Sequence, residues 1–400
     1  MNGFVYVYNL PPKFNKALLI ECENWNPWVS RCKAISNDGL GPRATGLASI
    51  VPKNLASSWY WTDMFAGEVI YHTRILNYKC RTLNPDLATA FYVPFYAGLA
   101  IEEYLFKNYT AKERDMQSET LLKWTQDQKY YTRSNGSDHF VMVGRMTWDF
   151  RRTKDEDWGS SFINMPGMKN ITRLSVEQDP WDPLEVSVPY PTGLHPKSDL
   201  DLQQWQHFVQ SRNRTSLYTF VGGKRKMKND FRALLHNHCF NNSDSCRAVD
   251  CSKTKCHDGA SVILEVFLDS DFCLQPRGDA YTRRSMFDCM LAGSIPVFFW
   301  NRSIYHQYGW FLNDDPGSFS VFIDKKEVQK DESVIRRVLK QYSREDIGRM
   351  RENVIGLIPR FLYAMPSNET NTSIDAFDIA MDGVLKKFKE QKGHGSMGKM

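Results

Sequence analysis

The stretch 264–300 constrains the fold of this chain more than any other part of it. Its pattern predicts a strand at 272–274, a loop rich in turn residues, a helix that Thr282 caps, and a second strand at 295–299. Strand, helix and strand in this order form one βαβ unit of a parallel sheet. Ligands of such sheets bind beyond the carboxyl ends of the strands, where the N-terminus of a helix attracts anions. We therefore expect an anion site in the loop between the first strand and the helix.

Charged residues in and after this loop fit a nucleotide. Arg277, Arg283 and Arg284 place positive charge where a diphosphate would lie. Asp288 lies one to two turns into the helix and could accept hydrogen bonds from ribose hydroxyls. Arginines in the first turn of a helix oppose its dipole, and a bound anion would relieve that conflict. The alternative is a basic turn that is simply exposed to solvent.

A glycine-rich loop earlier in the chain offers further positive charge. The run G-G-K-R at 222–225 follows a predicted strand at 217–221, so its two basic side chains could neutralise a diphosphate without a metal ion. An ordinary turn is the alternative for the two glycines. The triplet D-S-D at 269–271 would suit a metal, but it precedes its strand and so lies at the wrong end for the ligand. We predict that the triplet forms a turn and that the site holds no metal.

Composition bounds the class of protein. The chain has 400 residues, of which 42% are hydrophobic and 13% aromatic, enough for two or three packed domains. A formal net charge of +5 is small for this length, and no basic run accompanies a zinc, helix or RNA-reading motif. Nucleic acid is therefore not an expected partner. The 11 Trp and 18 Tyr suit stacking on sugar rings, although most of them are expected in the core.

The sequence carries more N-glycosylation sequons than chance would give. About three matches to N-x-[ST] are expected in a chain of this composition. Eight occur, an excess that predicts folding in the secretory pathway. The eight acceptor residues are Asn108, Asn135, Asn170, Asn213, Asn241, Asn301, Asn368 and Asn371.

Nine cysteines suit the same oxidising compartment. Four of them lie close together in a polar segment, where we predict two local disulfides rather than a zinc site, because C-x-x-C pairs are lacking. Cys22, Cys32 and Cys80 offer a third pair. Cys273 and Cys289, on the strand and the helix of the βαβ unit, are expected to be buried free thiols. The clustered cysteines are Cys239, Cys246, Cys251 and Cys256.

The chain contains no run of 18 or more apolar residues, and it opens almost directly on a predicted strand without a signal peptide. We expect that a targeting segment lay upstream and was removed. The chain would then be the luminal part of a membrane-anchored protein. Residues 393–400 are expected to form a disordered tail.

Predicted strands and helices alternate on both sides of a Pro-rich crossover at 188–196. Before it, the predicted strands are 4–8, 88–94, 140–143 and two short ones near 171 and 186, with helices at 17–22, 59–76 and 116–131. After it, the predicted helices are 201–211, 229–238, 326–341 and 344–361, with strands at 217–221 and 262–266 ahead of the βαβ unit.

This order predicts an α/β protein of two Rossmann-like domains that face a cleft. The first domain is expected at 1–200 and the second at 201–365. A last amphipathic helix within 366–392 is expected to pack back on the first domain.

Six stretches, spanning about 5–360, resemble one family in both sequence and order. On these stretches the chain resembles the exostosin-like glycosyltransferases of family 47 and, within them, the plant xyloglucan galactosyltransferase branch. The stretches are V-Y-V-Y-N-L-P-P-K-F-N at 5–15, C-R-T-L-N-P-D-L-A-T-A-F-Y-V-P-F-Y-A-G-L at 80–99, S-D-H-F-V-M-V-G-R-M-T-W-D-F-R-R at 137–152, P-Y-P-T-G-L-H-P at 189–196, F-V-G-G-K-R at 220–225, and the βαβ stretch.

The resemblance implies an inverting, metal-independent transferase of the GT-B type in the plant Golgi lumen, a type II membrane protein in its full-length form. It would use a UDP-sugar, with no cofactor, to decorate xylosyl side chains of xyloglucan. The branch usually has Pro where Arg277 stands and Cys where Ser294 stands, so the donor or acceptor preference could differ. The residues expected to bind the UDP-sugar are Gly222, Gly223, Lys224, Arg225, Gln275, Gly278, Asp279, Tyr281, Thr282, Arg283, Arg284 and Asp288.

Inverting transfer also needs a general base near the acceptor hydroxyl. Asp149 follows the predicted strand 140–143 and is the preferred candidate, whereas Asp138 and His139 precede that strand. Pairing of Asp149 with Arg145, Arg151 or Arg152 is the alternative. His195, in the crossover, is another candidate, although lone histidines are more often structural.

Three hypotheses about function remain open. The first is a transferase that moves galactose from UDP-galactose onto xyloglucan. The second is a related wall-polysaccharide transferase that uses UDP-arabinose, another pentose or a uronic acid donor, or a β-mannan acceptor. The third is an inactive carbohydrate-binding or scaffold protein. A homo-oligomer, or a hetero-oligomer with other Golgi transferases, is compatible with each of them.

Overall fold

The computed structural model describes residues 2–20, 22–23, 25–27, 30–225, 227, 229–254, 256, 261–312, 314–365 and 374–397. The chain divides into two compact units. The first unit comprises Met1–Pro42, Thr62–Pro191 and Ala376–Met400, and the second unit comprises Arg43–Trp61 and Thr192–Asp375. The expected boundary lay at 200–201, and no sequence pattern indicated that Arg43–Trp61 belongs with the second unit.

The first unit is built on a six-stranded parallel sheet in the order β2-β1-β3-β4-β5-β6. Every residue of β4 is buried, as is typical of a parallel strand that is covered on both faces. The strands are β1 (Val5–Val7), β2 (Arg81–Thr82), β3 (Ala90–Tyr92), β4 (His139–Val143), β5 (Thr172–Ser175) and β6 (Glu185–Ser187). The helices are α1 (Arg31–Ala34), α2 (Gly67–Leu76), α3 (Ala97–Leu105), α4 (Ala111–Gln126) and α5 (Lys129–Ser134).

The second unit is built on a five-stranded parallel sheet in the order β11-β10-β9-β7-β8. The prediction of two α/β units with parallel sheets is therefore confirmed. The strands are β7 (Ser216–Gly222), β8 (Cys246–Asp250), β9 (Ser270–Gln275), β10 (Ile295–Phe298) and β11 (Val321–Phe322). The helices are α6 (Asp199–Gln210), α7 (Phe231–Asn241), α8 (Ser261–Leu268), α9 (Ser285–Leu291), α10 (Lys325–Lys330), α11 (Val334–Leu339) and α12 (Arg344–Phe361).

The last helix, α13 (Ala376–Met397), belongs to the first unit although it follows the whole of the second unit in sequence. Within that unit Phe388 meets the Phe140 ring of β4, and Lys387 donates to the Pro183 carbonyl at 2.7 Å. The guanidinium of Arg74 lies over the Phe377 ring. The expected disordered tail is wrong for 393–397, because the helix continues through them, and 398–400 lie outside the described residues.

Several predicted elements differ from those in the structure. The predicted strand 262–266 is wrong because these residues form α8, and an apolar run this short does not distinguish a strand from a buried helix. A strand that the sequence analysis did not predict, β8, pairs with one side of β7. Its apolar pattern is weak because Arg247 and Ala248 are exposed. The predicted helix at 59–76 begins only at Gly67, since 59–61 belong to the second unit.

Three further helix predictions need correction. The predicted helix 17–22 is a single 3₁₀ turn, Lys16–Leu19. The predicted helix 326–341 is interrupted after Lys330, where Asp331 takes an extended conformation, and so becomes α10 and α11. Thr282 does not cap α9, because that helix begins at Ser285 and no side chain caps its N-terminus.

A buried arginine holds the βαβ unit of the second sheet together. Arg214 donates to the carbonyl oxygens of Phe267 at 2.9 Å, Ser270 at 2.8 Å and Ala292 at 2.6 Å. These carbonyls lie at the end of α8, the start of β9 and the end of α9, so one guanidinium fixes three elements. Burial lowers the pKa of Arg214 to about 9.

Ser294 lies beside this clamp. It is buried, and its hydroxyl is 2.9 Å from the Phe267 carbonyl oxygen and 2.5 Å from that of Ser270. Because Ser294 immediately precedes β10, it lies at the amino edge of the sheet, opposite the carboxyl edge where ligands of parallel sheets bind. Ser294 is one of the two positions, with Arg277, at which the chain differs from the family branch that it resembles. The difference at Ser294 therefore affects packing and not the predicted donor site.

The D-S-D triplet also lies at the amino edge and makes structural ion pairs. Asp271 is buried within β9, where Arg344 and Arg351 donate to its carboxylate, so the prediction of a turn is wrong for this residue. Asp269 pairs with Arg247 and accepts from Thr215. Among the described residues, no group of His, Cys, Asp or Glu could hold a metal ion.

Four disulfides join eight of the nine cysteines. The predicted two local bonds within the cysteine cluster are present, and the pairing that the sequence left open is Cys239–Cys246 and Cys251–Cys256. The third pair is Cys22–Cys32. The expectation of free thiols at Cys273 and Cys289 is wrong, because these two residues are bonded to each other. Since α9 folds back on β9, a separation of 16 residues along the chain becomes a direct contact. Cys80 is buried and free.

The described sequon residues lie on the surface, with one exception. Asn108, Asn135, Asn213, Asn241 and Asn301 are exposed. Asn170 is only partly exposed, and its side-chain amide donates to the Asn135 carbonyl at 3.0 Å. Asn368 and Asn371 lie outside the described residues. In the part of the chain that the structure describes, no helix has the length and apolarity needed to cross a membrane.

We expect thiol titration of the denatured, unreduced protein to find one free thiol per chain, at Cys80, because the other eight cysteines are in disulfides. Alkylation followed by peptide mass mapping would locate the label. Labelling of Cys273 or Cys289 before reduction would contradict the bond between β9 and α9, and the reduced protein, with all nine sites labelled, is the control.

Candidate active site

The second sheet has one point at which its strand order reverses. From β7 the chain passes to β8 on one side, and it then returns to β9 on the other side of β7. In open α/β sheets the crevice at such a switch point, beyond the carboxyl ends of the strands, is where ligands bind. The loops that follow β7 and β9 both start at this crevice, and they contain most of the residues that the sequence predicted to bind a UDP-sugar, whereas Gly222, Gln275 and Asp288 lie in β7, β9 and α9.

Two arginines join these loops to each other. Arg225, in the loop after β7, donates to the Gly278 carbonyl at 2.6 Å and pairs with Asp279. In the opposite direction, Arg283 donates to the Val221 carbonyl at 2.9 Å. The structure therefore brings the two predicted loops together, although they are more than 50 residues apart in sequence.

The loop after β7 is held from its own side as well. His236 of α7 hydrogen-bonds the Gly222 carbonyl through Nε2 at 2.6 Å. Asp230 accepts from the backbone N–H of Arg225 at 2.7 Å and also caps α7. Burial lowers the pKa of His236, so this ring is neutral near pH 7. The position of Arg225 is thus set by its backbone as well as by its guanidinium.

The loop after β9 requires glycine at position 278. A Cβ on Gly278 would lie 2.2 Å from the Thr282 carbonyl oxygen, which belongs to the backbone and cannot move aside easily. Thr282 is buried in the resulting turn. Gln275, at the end of β9, is buried too, and its amide donates to the Ser285 carbonyl at 3.3 Å. The close turn therefore sets where Asp279, Tyr281 and Arg283 leave the loop.

Asp288, which the sequence predicted to accept hydrogen bonds from ribose hydroxyls, is paired with an arginine. Arg284 lies 3.2 Å away, one turn earlier in the chain, so the carboxylate already has a cationic partner. Burial raises the pKa of Asp288, and the charge of Arg284 opposes that shift. Because α9 has only seven residues, both side chains remain close to the loop.

An aromatic and cationic cluster that the sequence did not predict borders the same loop. Trp300, two residues after β10, lies against Tyr281 with the ring centroids 5.5 Å apart and the ring planes tilted by 34°. The guanidinium of Arg277 lies 4.8 Å from the Trp300 ring centre, and that of Arg302 lies 5.8 Å from it. The position of Trp300, just after the carboxyl end of the predicted strand 295–299, could have indicated that it borders the site.

Positive charge exceeds negative charge at this edge. Among the described residues, the basic side chains of the two loops and their borders are Lys224, Arg225, Arg232, Arg277, Arg283, Arg284 and Arg302, and the acidic ones are Asp230, Asp250, Asp279 and Asp288. Such an edge attracts an anion, and guanidinium groups bind phosphate oxygens with two parallel hydrogen bonds. The arrangement suits a diphosphate neutralised by arginine.

The preferred candidate base, Asp149, lies in the first unit on the 3₁₀ turn Thr147–Phe150 that follows β4. It is 0% exposed, and both of its oxygens are engaged. Arg145 donates to Oδ2 at 2.7 Å, and the Trp158 indole donates to Oδ1 at 2.7 Å. Both oxygens are therefore held by donors inside the first unit.

Arg145 belongs to a larger buried charge network. It lies 3.6 Å from Glu102, which in turn pairs with Arg31 at 2.8 Å. Near the same guanidinium, Glu68 accepts backbone N–H bonds from Gly98 at 2.5 Å and Gly144 at 3.0 Å. Burial raises the pKa of Glu68 to about 7. Asp149 is therefore one member of a structural network beside the carboxyl ends of β3 and β4.

The two histidine candidates are also 0% exposed. His139 hydrogen-bonds Asp138 through Nδ1 at 2.8 Å and the Tyr8 hydroxyl through Nε2 at 2.9 Å, so both of its ring nitrogens are used. His195 lies in the second unit, with Nδ1 2.6 Å from the Tyr363 carbonyl oxygen. The structure brings none of the three candidate bases to a surface.

Comparison with known proteins agrees with the resemblance. The exostosin GT47 domain matches residues 2–338. The chain is 57% identical to the Arabidopsis thaliana xyloglucan galactosyltransferase XLT2 over 98% of this chain and 76% of that protein. It is 40% identical to xyloglucan galactosyltransferase MUR3 of the same plant, covering 96% of this chain and 62% of that protein. A xyloglucan-specific galacturonosyltransferase 1, also from Arabidopsis thaliana, is 38% identical, with 96% and 57% covered.

Solved structures show only a distant likeness. An alpha-glucosyltransferase in complex with UDP-glucose and DNA matches 80% of this chain and 96% of its own with a TM-score of 0.41 and 9% identity. Another alpha-glucosyltransferase structure, in complex with UDP, reaches a TM-score of 0.36 and 11% identity, with 74% and 80% covered. Values this low carry no inference about function. The sequence matches, in contrast, show that the chain belongs to the exostosin GT47 family.

Proposed function

We propose that the protein is a glycosyltransferase that moves galactose from UDP-galactose onto xylosyl side chains of xyloglucan. The observation that carries this proposal is the 57% identity to a xyloglucan galactosyltransferase over 98% of the chain. The joined loops at the switch point of the second sheet support it, because they provide the cationic crevice that a nucleotide diphosphate needs.

The transfer is proposed to invert the anomeric centre and to proceed without a metal ion. Negative charge develops on the diphosphate as the bond to the sugar breaks, and preorganised cations stabilise it best when they are already in place. Arg225 and Arg283 meet this condition, since backbone carbonyls of the opposite loop hold both guanidiniums. Gln275, Tyr281 and Asp288 are the proposed contacts to the uridine and the sugar.

A second donor class is favoured by one specific feature. Arg277 and Arg302 flank Trp300 at the edge of the proposed donor crevice, and a guanidinium there could bind the carboxylate of a uronic acid. A relative that is 38% identical carries the name of a galacturonosyltransferase. UDP-galacturonate is therefore the alternative donor to test first, ahead of UDP-arabinose, other pentose donors, a β-mannan acceptor or an inactive scaffold.

The proposed location is the Golgi lumen, with the full-length protein anchored as a type II membrane protein. Four disulfides support an oxidising compartment. The exposed sequon residues are proposed to carry N-glycans, and assembly with other Golgi transferases is also proposed.

The donor is identified by a UDP-release assay on the purified chain in the presence of EDTA. Xyloglucan oligosaccharides serve as the acceptor, with UDP-galactose, UDP-galacturonate, UDP-arabinose and UDP-xylose offered one at a time. We expect release with UDP-galactose, because arginines rather than a metal neutralise the leaving group. UDP release that occurs only after Mn²⁺ is restored would contradict the metal-independent mechanism. If none of the four donors gives UDP release although the protein still binds UDP, the acceptor is a different one.

The turn at Gly278 is tested by Gly278→Ala. The added Cβ meets the Thr282 carbonyl, so we expect the loop to shift and the Kd for UDP to rise by at least about tenfold, as titration calorimetry would measure. Gly309→Ala is the matched control, because a Cβ there has no neighbour within 4 Å. Equal UDP affinity of the two variants would exclude this loop from the donor site.

Asp149→Asn separates a catalytic role from a structural one. The substitution leaves the buried Arg145 guanidinium without its closest carboxylate, so we expect a loss of about 3 kcal/mol in the free energy of unfolding. Asp155→Asn is the control, since that carboxylate is 89% exposed. A variant that melts like the wild type and binds UDP, but transfers nothing, would instead support Asp149 as the base.

A further inference from the structure

One disulfide of the second unit encloses the loop that follows β9. Cys273 lies within β9 and Cys289 lies within α9, so the bond between them closes a ring of chain that contains the whole segment 276–284. Both cysteines are 0% exposed. The bond therefore joins the strand before this loop to the helix after it, inside the core of the unit.

Helix α9 is weak at its N-terminal end, where the loop joins it. The helix has seven residues, and isolated helices shorter than about 12 residues are marginal in water. Among the described residues, no side chain caps this end, and the positive charges of Arg283 and Arg284 beside it oppose the helix dipole. Arg214 holds the other end of the helix, through the Ala292 carbonyl. The start of α9 and the loop before it thus depend on tertiary contacts.

Cys273 fixes a polar side chain of the proposed donor site. Gln275 lies two residues farther along β9 and so points to the same face of the sheet. Its Nε2 donates to the Cys273 sulfur at 3.2 Å and to the Ser285 carbonyl at 3.3 Å. The side chain is buried, and Oε1 accepts no hydrogen bond within the described part of the chain. A buried amide oxygen without a donor is costly, so Oε1 is suited to an N–H or O–H group of a bound nucleotide.

Cys289 lies next to a second polar group of that site. Asp288 precedes it directly in α9, and its carboxylate lies 3.2 Å from Arg284, one turn earlier in the chain. Because a helical turn is stiff, attaching Cys289 to β9 also sets the position of Asp288 relative to Gln275. Two of the three proposed contacts to the uridine and the sugar are therefore within two residues of a bonded cysteine.

We propose that the Cys273–Cys289 disulfide is a positioning element of the donor site, which holds Gln275 and Asp288 at the separation at which they contact the UDP-sugar. The inference rests on the proposed function, whose donor it concerns. Without the bond, α9 and its loop also adopt arrangements that do not bind the donor, and the apparent Kd rises by the inverse of the competent fraction. The disulfide itself takes part in no chemical step.

The test compares Cys273→Ala/Cys289→Ala with Cys239→Ala/Cys246→Ala. The second variant is the matched control, because it removes another buried disulfide of the same unit at the opposite edge of the sheet, where α7 ends and β8 starts. Both variants are expected to melt below the wild type, since each loses a cross-link. We expect the Kd for UDP, measured by titration calorimetry, to rise at least about tenfold in the first variant and to stay unchanged in the control. An unchanged Kd in the first variant, or an equal rise in the control, overturns the inference.

Kinetics distinguish positioning from a general loss of stability. In Cys273→Ala/Cys289→Ala we expect the KM for UDP-galactose to rise about tenfold with kcat retained, because a saturating donor restores the competent arrangement. A smaller folded fraction would instead lower kcat and leave this KM unchanged, and that result contradicts the proposal.

The single variants test whether the bond itself is responsible. Cys273→Ala and Cys289→Ala should each raise the Kd for UDP as much as the double variant does, because either substitution removes the bond. Additive effects would assign the change to the packing of each side chain and would exclude the disulfide. A wild type that binds UDP but transfers no galactose contradicts the proposed function and leaves this comparison valid. If the wild type binds no UDP, the donor site fails first, and this inference falls with it.

Discussion

Parallel pairing of the strands is the constraint on which the rest of the structure depends. It places all carboxyl ends of a sheet at one edge, and in each unit the chain crosses over its first strand so that the order reverses there. The crevices at β1 and at β7 follow from this crossing and not from any particular side chain. Side chains then determine what each crevice binds. At β7 they are arginines held by backbone carbonyls, and at β1 they include Lys16, His72 and Arg81.

The sequence predicted the central βαβ unit well because several independent signals agreed there. Every residue of β9 and β10 is buried, each strand contains an apolar run, and turn residues separate β9 from α9. Prediction failed where one signal stood alone. The run S-V-I-L-E-V-F-L is equally apolar, but it forms α8, and the real strand β8 presents exposed residues on an edge of the sheet. The bond between Cys273 and Cys289 could not be derived from spacing, because it depends on how α9 packs on β9.

The candidate site was likewise predicted only in part. The loops that join at β7 and β9 were found from position and charge, whereas the partners of each side chain were not. Asp149 follows a strand, as a catalytic carboxylate would, yet Arg145 and Trp158 occupy both of its oxygens. Long-range contacts decide such questions, and a single sequence does not contain them.

The path of the chain has a consequence for biosynthesis. It passes from the first unit to the second and back twice, at 42–43, 61–62, 191–192 and 375–376, before it ends in α13. During translation the second unit can therefore be complete while the first still lacks its last helix. Phe377 and Phe388 of that helix cover apolar surface that stays open until the helix itself leaves the ribosome. Neither unit is a contiguous piece of the gene, so no single cut yields two fragments that each contain one whole unit.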